Sequence, residues 1–183
     1  MVSSDGIQSI VTGRMTRIVY AQFSAGTDLY NGIVEVIKRE RMHTGVILNI
    51  TGTMTRTRLS GPTSTTKVTE SPGYFEIEGL SEATGSGYFG HTVDTWKSEP
   101  SQVEHLAGDP FLHVHLVVNV KGETHCGHLI EGCTVRSLHD KSHFLVVLGE
   151  VEGVDLSLRR EAESGLDTYP VGLPYYELAP AEV

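Results

Sequence analysis

The sequence predicts an α+β fold: a largely antiparallel β-sheet, one main early helix and an extended C-terminal tail. Three observations lead there, namely several short β-patterned runs, a single stretch at helical spacing, and a proline-rich end. With 183 residues, 39% of them hydrophobic and 20% charged, the chain is sized for one compact domain that carries such a tail. Neither an internal repeat nor a second core is visible.

Residues 15–23 (MTRIVYAQF) are β-branched and aromatic and read as the first strand. Ser24-Ala25-Gly26-Thr27-Asp28 is a turn ending on a capping residue. Leu29, Ile33, Val36 and Ile37 then recur at helical spacing, and Lys38 and Arg39 stand where the helix dipole favours cations. Residues 44–54 (TGVILNITGTM) predict a strand that Thr55 to Leu59 either extends or succeeds with a second one. The stretch 60–72, with Pro62 and Pro72, reads as a loop, and 73–80 (GYFEIEGL) alternates as a strand. Gly85, Gly87 and Gly90 are expected to interrupt the segment after it, and 94–110 to form a long polar connection. Strands 111–120, 123–136 and 143–149 then come in close succession. Beyond Asp155, the charged LRREAES segment leads to Pro170, Pro174 and Pro180, which exclude a regular helix. Tyr169, Leu173, Tyr175, Tyr176 and Leu178 predict a tail packed on its own domain or on a neighbouring subunit.

Fourteen Lys+Arg against 23 Asp+Glu leave a net charge of −9, which argues against a surface built to grip phosphates or an anionic membrane. The two cysteines, Cys126 and Cys133, are an odd number of residues apart, so a strand through both would point them to opposite faces and no disulfide is expected. No window reaches the ~18–20 apolar residues that cross a bilayer, and the N-terminus lacks the pattern of a secretory signal. A reduced, cytoplasmic protein is the expectation, in which the Asn49-Ile50-Thr51 sequon has no consequence.

Histidine is the unusual residue. There are nine, and seven (His105, His113, His115, His125, His128, His139 and His143) fall between positions 105 and 143. His113 and His115, two apart on a β-patterned run, must share a face, with Val114, Leu116, Val118 and Val120 on the other. If Lys121-Gly122 is a two-residue hairpin loop, 120 opposes 123 and, counting back, His115 opposes His128. Their Cβ atoms would then be ~4.5–5.5 Å apart, with His113 diagonal to His128 at ~7–8 Å. Three imidazoles on one patch are what a zinc site with three protein ligands and an open position requires. A slip of one residue would turn His128 away. In this register Cys126 lies on the histidine face opposite Val117, His125 lies on the other face, and His105, His139 and His143 fall to loop or surface positions. Three neutral imidazoles favour zinc and also accommodate nickel, cobalt, copper or iron.

Gly26-x-Asp28-Leu29 opening the helix, Gly45-Val46-Ile47, Gly73-Tyr74-Phe75-Glu76-Ile77, His113-x-His115 and Gly127-His128-Leu129-x-x-Gly132 occur in that order. Together they resemble the plant-and-prokaryote conserved (PPC) domain over about residues 14–149. The resemblance divides the chain into an N-terminal extension (1–13), the domain (14–150) and a C-terminal tail (151–183). It implies a homotrimer of α+β domains and brings the family's DNA-binding label, which comes from plant relatives carrying AT-hooks. Here Gly13-Arg14 is followed by Met15 rather than proline, so no hook is present, and the family's usual Gly-Gly-His reads Cys126-Gly127-His128. The family's fold is in turn similar to that of α-acetolactate decarboxylase, whose zinc ligands His113, His115 and His128 match in position.

Two kinds of function are consistent with these features. One is a small-molecule metalloenzyme of carbonyl-acid or ester chemistry, with Glu131, Glu76 and Arg56 as candidate acid, base or anion clamp. Their plainer readings are an exposed strand end for Glu131, and a solvated or subunit-interface position for Arg56 and Arg58. The other is a non-catalytic interaction or regulatory module that meets DNA through a partner, since direct binding by a chain of net charge −9 would need a segregation of charge that the sequence does not show. Its support is the short basic groups Arg14/Arg17, Lys38/Arg39/Arg41 and Arg159/Arg160, whose plainer reading is solvated faces.

Overall fold

A computed structural model describes residues 6–61, 73–97, 104–136, 143–160 and 174–181. The chain forms β1 (Arg14–Phe23), α1 (Leu29–Glu40), β2 (Gly45–Gly61), β3 (Gly73–Thr92), β4 (Trp96–Lys97), β5 (Glu104–His105), β6 (Pro110–Val120), β7 (Glu123–Leu129), β8 (Thr134–Val135), β9 (Phe144–Glu152), β10 (Val154–Arg160) and β11 (Pro174–Pro180). The fold is α+β with a mainly antiparallel sheet and one helix among the described residues.

One large sheet runs β1-β9-β2-β7-β6-β3-β10-β11, and a further pairing of β2 with β3 closes a ring of β2, β3, β6 and β7. β4 and β5 pair separately. Strand β2 organises the ring. One edge pairs with β3 along nearly its whole length, while the other meets β9 first, then β8, then β7. Leu29, Ile33 and Ile37 bury one stripe of α1, as the spacing predicts. Asp28 caps the helix by accepting from Asn31 N at 3.0 Å, and its second oxygen accepts from Gly132 N at 2.7 Å, which ties the helix start to the turn after β7. Among the described residues, no helix is long and apolar enough to cross a membrane.

Among the described residues, the structure differs from the sequence expectations in several places, one being the short paired strands β4 and β5 inside the expected 94–110 connection. Strand β2 is continuous to Gly61, so the run after Met54 extends it, and Ser60 and Gly61 are strand rather than loop. Gly85, Gly87 and Gly90 do not interrupt β3. They sit in regular register with β6, where an added Cβ would come 2.8 Å from His115 O, 2.1 Å from His113 O and 2.0 Å from Leu156 O respectively. Glycine is needed there because neighbouring backbone approaches, and the strand continues through it. Finally, 123–136 is β7, a turn and the short β8 rather than one strand. Residues 62–72, 98–103, 137–142 and 161–173, with parts of the expected loops, His139 and Pro170, lie outside the described residues.

The described tail strands, β10 and β11, join the same sheet as the domain. β10 runs parallel to the end of β3 through Ser157↔His91 and Leu158↔Thr92, and β11 pairs antiparallel with β10. Cys133 is buried, Cys126 is exposed, and both are free thiols.

Candidate metal centre

The hairpin of β6 and β7 has the register that places three histidines together. His115 pairs with His128 and Val120 with Glu123, around Lys121-Gly122, whose φ values are 52° and 88°. Positive φ at both loop positions matches a type I′ turn and fixes the register. Val114, Leu116 and Val118 are buried on the other face, so a slip would cost the core as well as the site. Gly127 is required beside His128, because a Cβ there would lie 2.7 Å from Ser60 O where β7 pairs with β2.

The three rings are mutual neighbours. Centroids are 4.6 Å apart for His115 and His128, 4.9 Å for His113 and His128, and 5.3 Å for His113 and His115. One ring nitrogen from each lies within 4.8 Å of the other two, and His113 Nε2 is 3.3 Å from His115 Nε2. Two unprotonated nitrogens do not face each other at that distance without a proton or a cation between them. Ligands about 2.1 Å from a shared ion at tetrahedral angles stand about 3.4 Å apart, so this separation fits a common metal.

Burial and the positive charges of His128 and His115 push the His113 pKa down to about 4. Burial and His115 also lower that of His128, partly offset by a hydrogen bond with the Ser60 backbone. Neutral rings are what a metal ligand needs. In the metal-free protein, proton NMR is expected to give His113 a midpoint near 4. Between that value and the ordinary ~6.5, the unfolded chain binds a proton that the folded chain does not. Stability of the metal-free protein therefore falls as pH drops from about 6.5 toward 4, and an ordinary His113 midpoint would remove this contribution.

Two tyrosines that sequence reasoning did not connect to the site complete it. Tyr88, opposite His113 on β3, stacks on its ring at 4.9 Å. Tyr176 on β11 hydrogen-bonds His113 Nδ1 through its hydroxyl. In the tautomer with Nδ1 protonated, this bond leaves the Nε2 lone pair facing the other histidines. Tyr176 carried only a packing signal in the sequence, and nothing in its spacing pointed to residue 113.

The other candidates are placed differently. Arg56 and Arg58 lie on the outward face of β2, four and two residues before Ser60, the partner of His128. Arg56 Nη2 is 2.9 Å and Arg58 Nε 3.2 Å from the Glu76 carboxylate, and Glu78 adds a second partner to Arg56 at 3.2 Å. The hydrogen bond from Arg56 holds the Glu76 pKa below the usual carboxylate range. Glu76 is thus an ion-paired anion suited to orienting the arginines. Glu131 is in the turn after β7, where its charge helps raise the pKa of Tyr30 behind the larger effect of burial. His125 packs against Phe75, His105 stacks on Trp96 at 4.1 Å, and the exposed Cys126 opposes Val117.

The family model described as the Plants and Prokaryotes Conserved (PCC) domain matches residues 11–140. No curated protein matches the sequence significantly. Among solved structures, a metal-containing protein of Archaeoglobus fulgidus superposes with a TM-score of 0.65 at 16% identity, covering 91% of this chain and 98% of that one. A plant- and prokaryote-conserved protein of Pyrococcus horikoshii gives 0.62 at 19% identity, over 91% and 96%. A candidate DNA-binding protein of Bacteroides thetaiotaomicron gives 0.58 at 14% identity, over 92% and 98%. The likeness to acetolactate decarboxylase of Bacillus subtilis is looser, with a TM-score of 0.42 over 75% of this chain and 53% of that one.

Proposed function

The chain belongs to the Plants and Prokaryotes Conserved domain family, and from that premise we propose that it is a metalloprotein in which His113, His115 and His128 hold one divalent transition ion, zinc by preference. The convergence of the three ring nitrogens carries this reading. The neutral state of His113 supports it, as does the metal content named for the Archaeoglobus fulgidus neighbour.

A three-histidine zinc with an open position supplies a Lewis acid for a carbonyl or carboxylate oxygen. The protein's own groups would do the rest. Tyr176 and Tyr88 hold the His113 ring, while Arg56 and Arg58, ion-paired with Glu76, lie on the same outward face of the sheet as His128. A small carbonyl acid or ester is the ligand class this chemistry suits, bound in a homotrimeric cytoplasmic protein. The DNA-binding name of the Bacteroides thetaiotaomicron neighbour favours a second reading. Against it, Arg14, Arg17, Arg39, Arg56, Arg58 and Arg159 each lie against a carboxylate on a chain of net charge −9.

The test is metal analysis of the purified protein beside a His113→Ala variant. The expected result is that the variant holds one equivalent per chain less than the wild type; equal metal in both would overturn the proposal. Binding of DNA whose affinity falls steeply with salt would favour the second reading.

A further inference from the structure

Away from these histidines, two more imidazoles and a carboxylate meet. His43 comes just after α1, His91 is near the end of β3, and Asp155 opens β10. Asp155 Oδ1 lies 3.1 Å from His43 Nε2 and 3.4 Å from His91 Nδ1, and one ligand atom from each residue falls within 4.8 Å of the other two. The His43 and His91 rings stack with centroids 4.2 Å apart. His91 is three residues beyond Tyr88, which puts it on the opposite face of β3 and about 10 Å along the strand. The group is therefore separate from the three-histidine face.

Backbone pairing brings these three residues together. The parallel pair Ser157↔His91 sets β10 against β3, and Leu156 N donates to Thr44 Oγ1 at 3.2 Å, which holds the segment after α1 beside Asp155. Asp155 also lies beyond residues 11–140, so it comes from the part of the chain that the family model does not match.

A hydrogen bond explains the His43–Asp155 contact but not His91. Its Nδ1 is buried and makes no hydrogen bond, although a carboxylate oxygen is 3.4 Å away. A buried polar atom left without a partner costs about 1–3 kcal/mol, and a cation between the two would satisfy it. Ligands about 2.1 Å from one ion at 90–110° are about 3.0–3.4 Å apart, and both measured separations agree with that. Arg159, the nearby cation, is paired with Glu177. His43 also lines a cavity of about 400 Å³ with Thr16, Glu150 and Glu152, which leaves room for water at the remaining positions.

We propose that His43, His91 and Asp155 form a second metal site, binding a divalent first-row transition ion such as zinc or iron(II) through two imidazole nitrogens and one carboxylate oxygen. This site is independent of the three-histidine reading.

Metal-stripped full-length protein, dialysed against micromolar Zn²⁺ or Co²⁺ and assayed for bound metal, tests it. The wild type should hold two equivalents per chain, Asp155→Asn one, His113→Ala one, and the double variant none. His43→Ala, at a side chain 64% exposed and thus tolerant of truncation, should also lose one equivalent. If Asp155→Asn and His43→Ala bind as much metal as the wild type, the second site does not exist, even if His113→Ala loses its equivalent. If His113→Ala loses nothing while Asp155→Asn does, the second site stands and the three-histidine proposal fails.

Discussion

Truncating Phe89 to alanine should lower the unfolding free energy by ~3–5 kcal/mol, the range for a fully buried phenylalanine whose removal leaves a cavity. Phe89 is completely buried and pairs with Gly45, where β2 and β3 begin to run together. Its ring occupies the space a side chain at Gly45 would need: a Cβ there would come 2.4 Å from Phe89 Cζ and 2.2 Å from Gly149 O. Strands on both sides of the void are held by backbone pairing, so the site cannot collapse to fill it. Urea unfolding monitored by circular dichroism measures the loss, and a change below about 1 kcal/mol would mean that the ring does not fill this part of the core. Gly45→Ala forces the opposite error, overpacking against backbone, and should also destabilise.

How much of the fold and of the histidine face was legible in the sequence depends on the range of each interaction. The helix could be read because its signals are local: Asp28 caps, Leu29, Ile33 and Ile37 face inward, and Lys38 and Arg39 close the last turn. The histidine hairpin could be read because a two-residue loop fixes register, and register alone decides that His115 meets His128. The path of β3 could not. Gly85, Gly87 and Gly90 look like interruptions until β6 and β10 are seen pressing against them, and those contacts join residues far apart in sequence. The tail was open for the same reason. Its aromatic residues implied packing, but only the sheet order shows that β10 meets β3 and carries β11 with it. Counting histidines by sequence proximity gathered seven and left out His43 and His91, which meet through β10.

That placement of the tail leads to the second large effect. Tyr176→Phe should weaken metal binding at the three-histidine face by about 10–100-fold, the usual penalty for removing the group that orients a ligating imidazole. The hydroxyl is the part at issue, since it hydrogen-bonds His113 Nδ1. The phenylalanine ring would still stack on Phe111, now at 5.4 Å, and stand edge-on to Tyr88, so the fold should lose no more than about 1 kcal/mol. In the tautomer with Nδ1 protonated, Nδ1 then loses its acceptor, and the ring spends less time with its Nε2 lone pair toward His115 and His128. A chelator competition titration of the zinc-loaded protein reads the affinity, and thermal unfolding of the metal-free protein reads the fold. Weaker binding with unchanged metal-free stability assigns Tyr176 a positioning role, and makes a strand beyond the residues the family model matches part of this chain's three-histidine face. Unchanged affinity would reduce Tyr176 to a packing residue of β11.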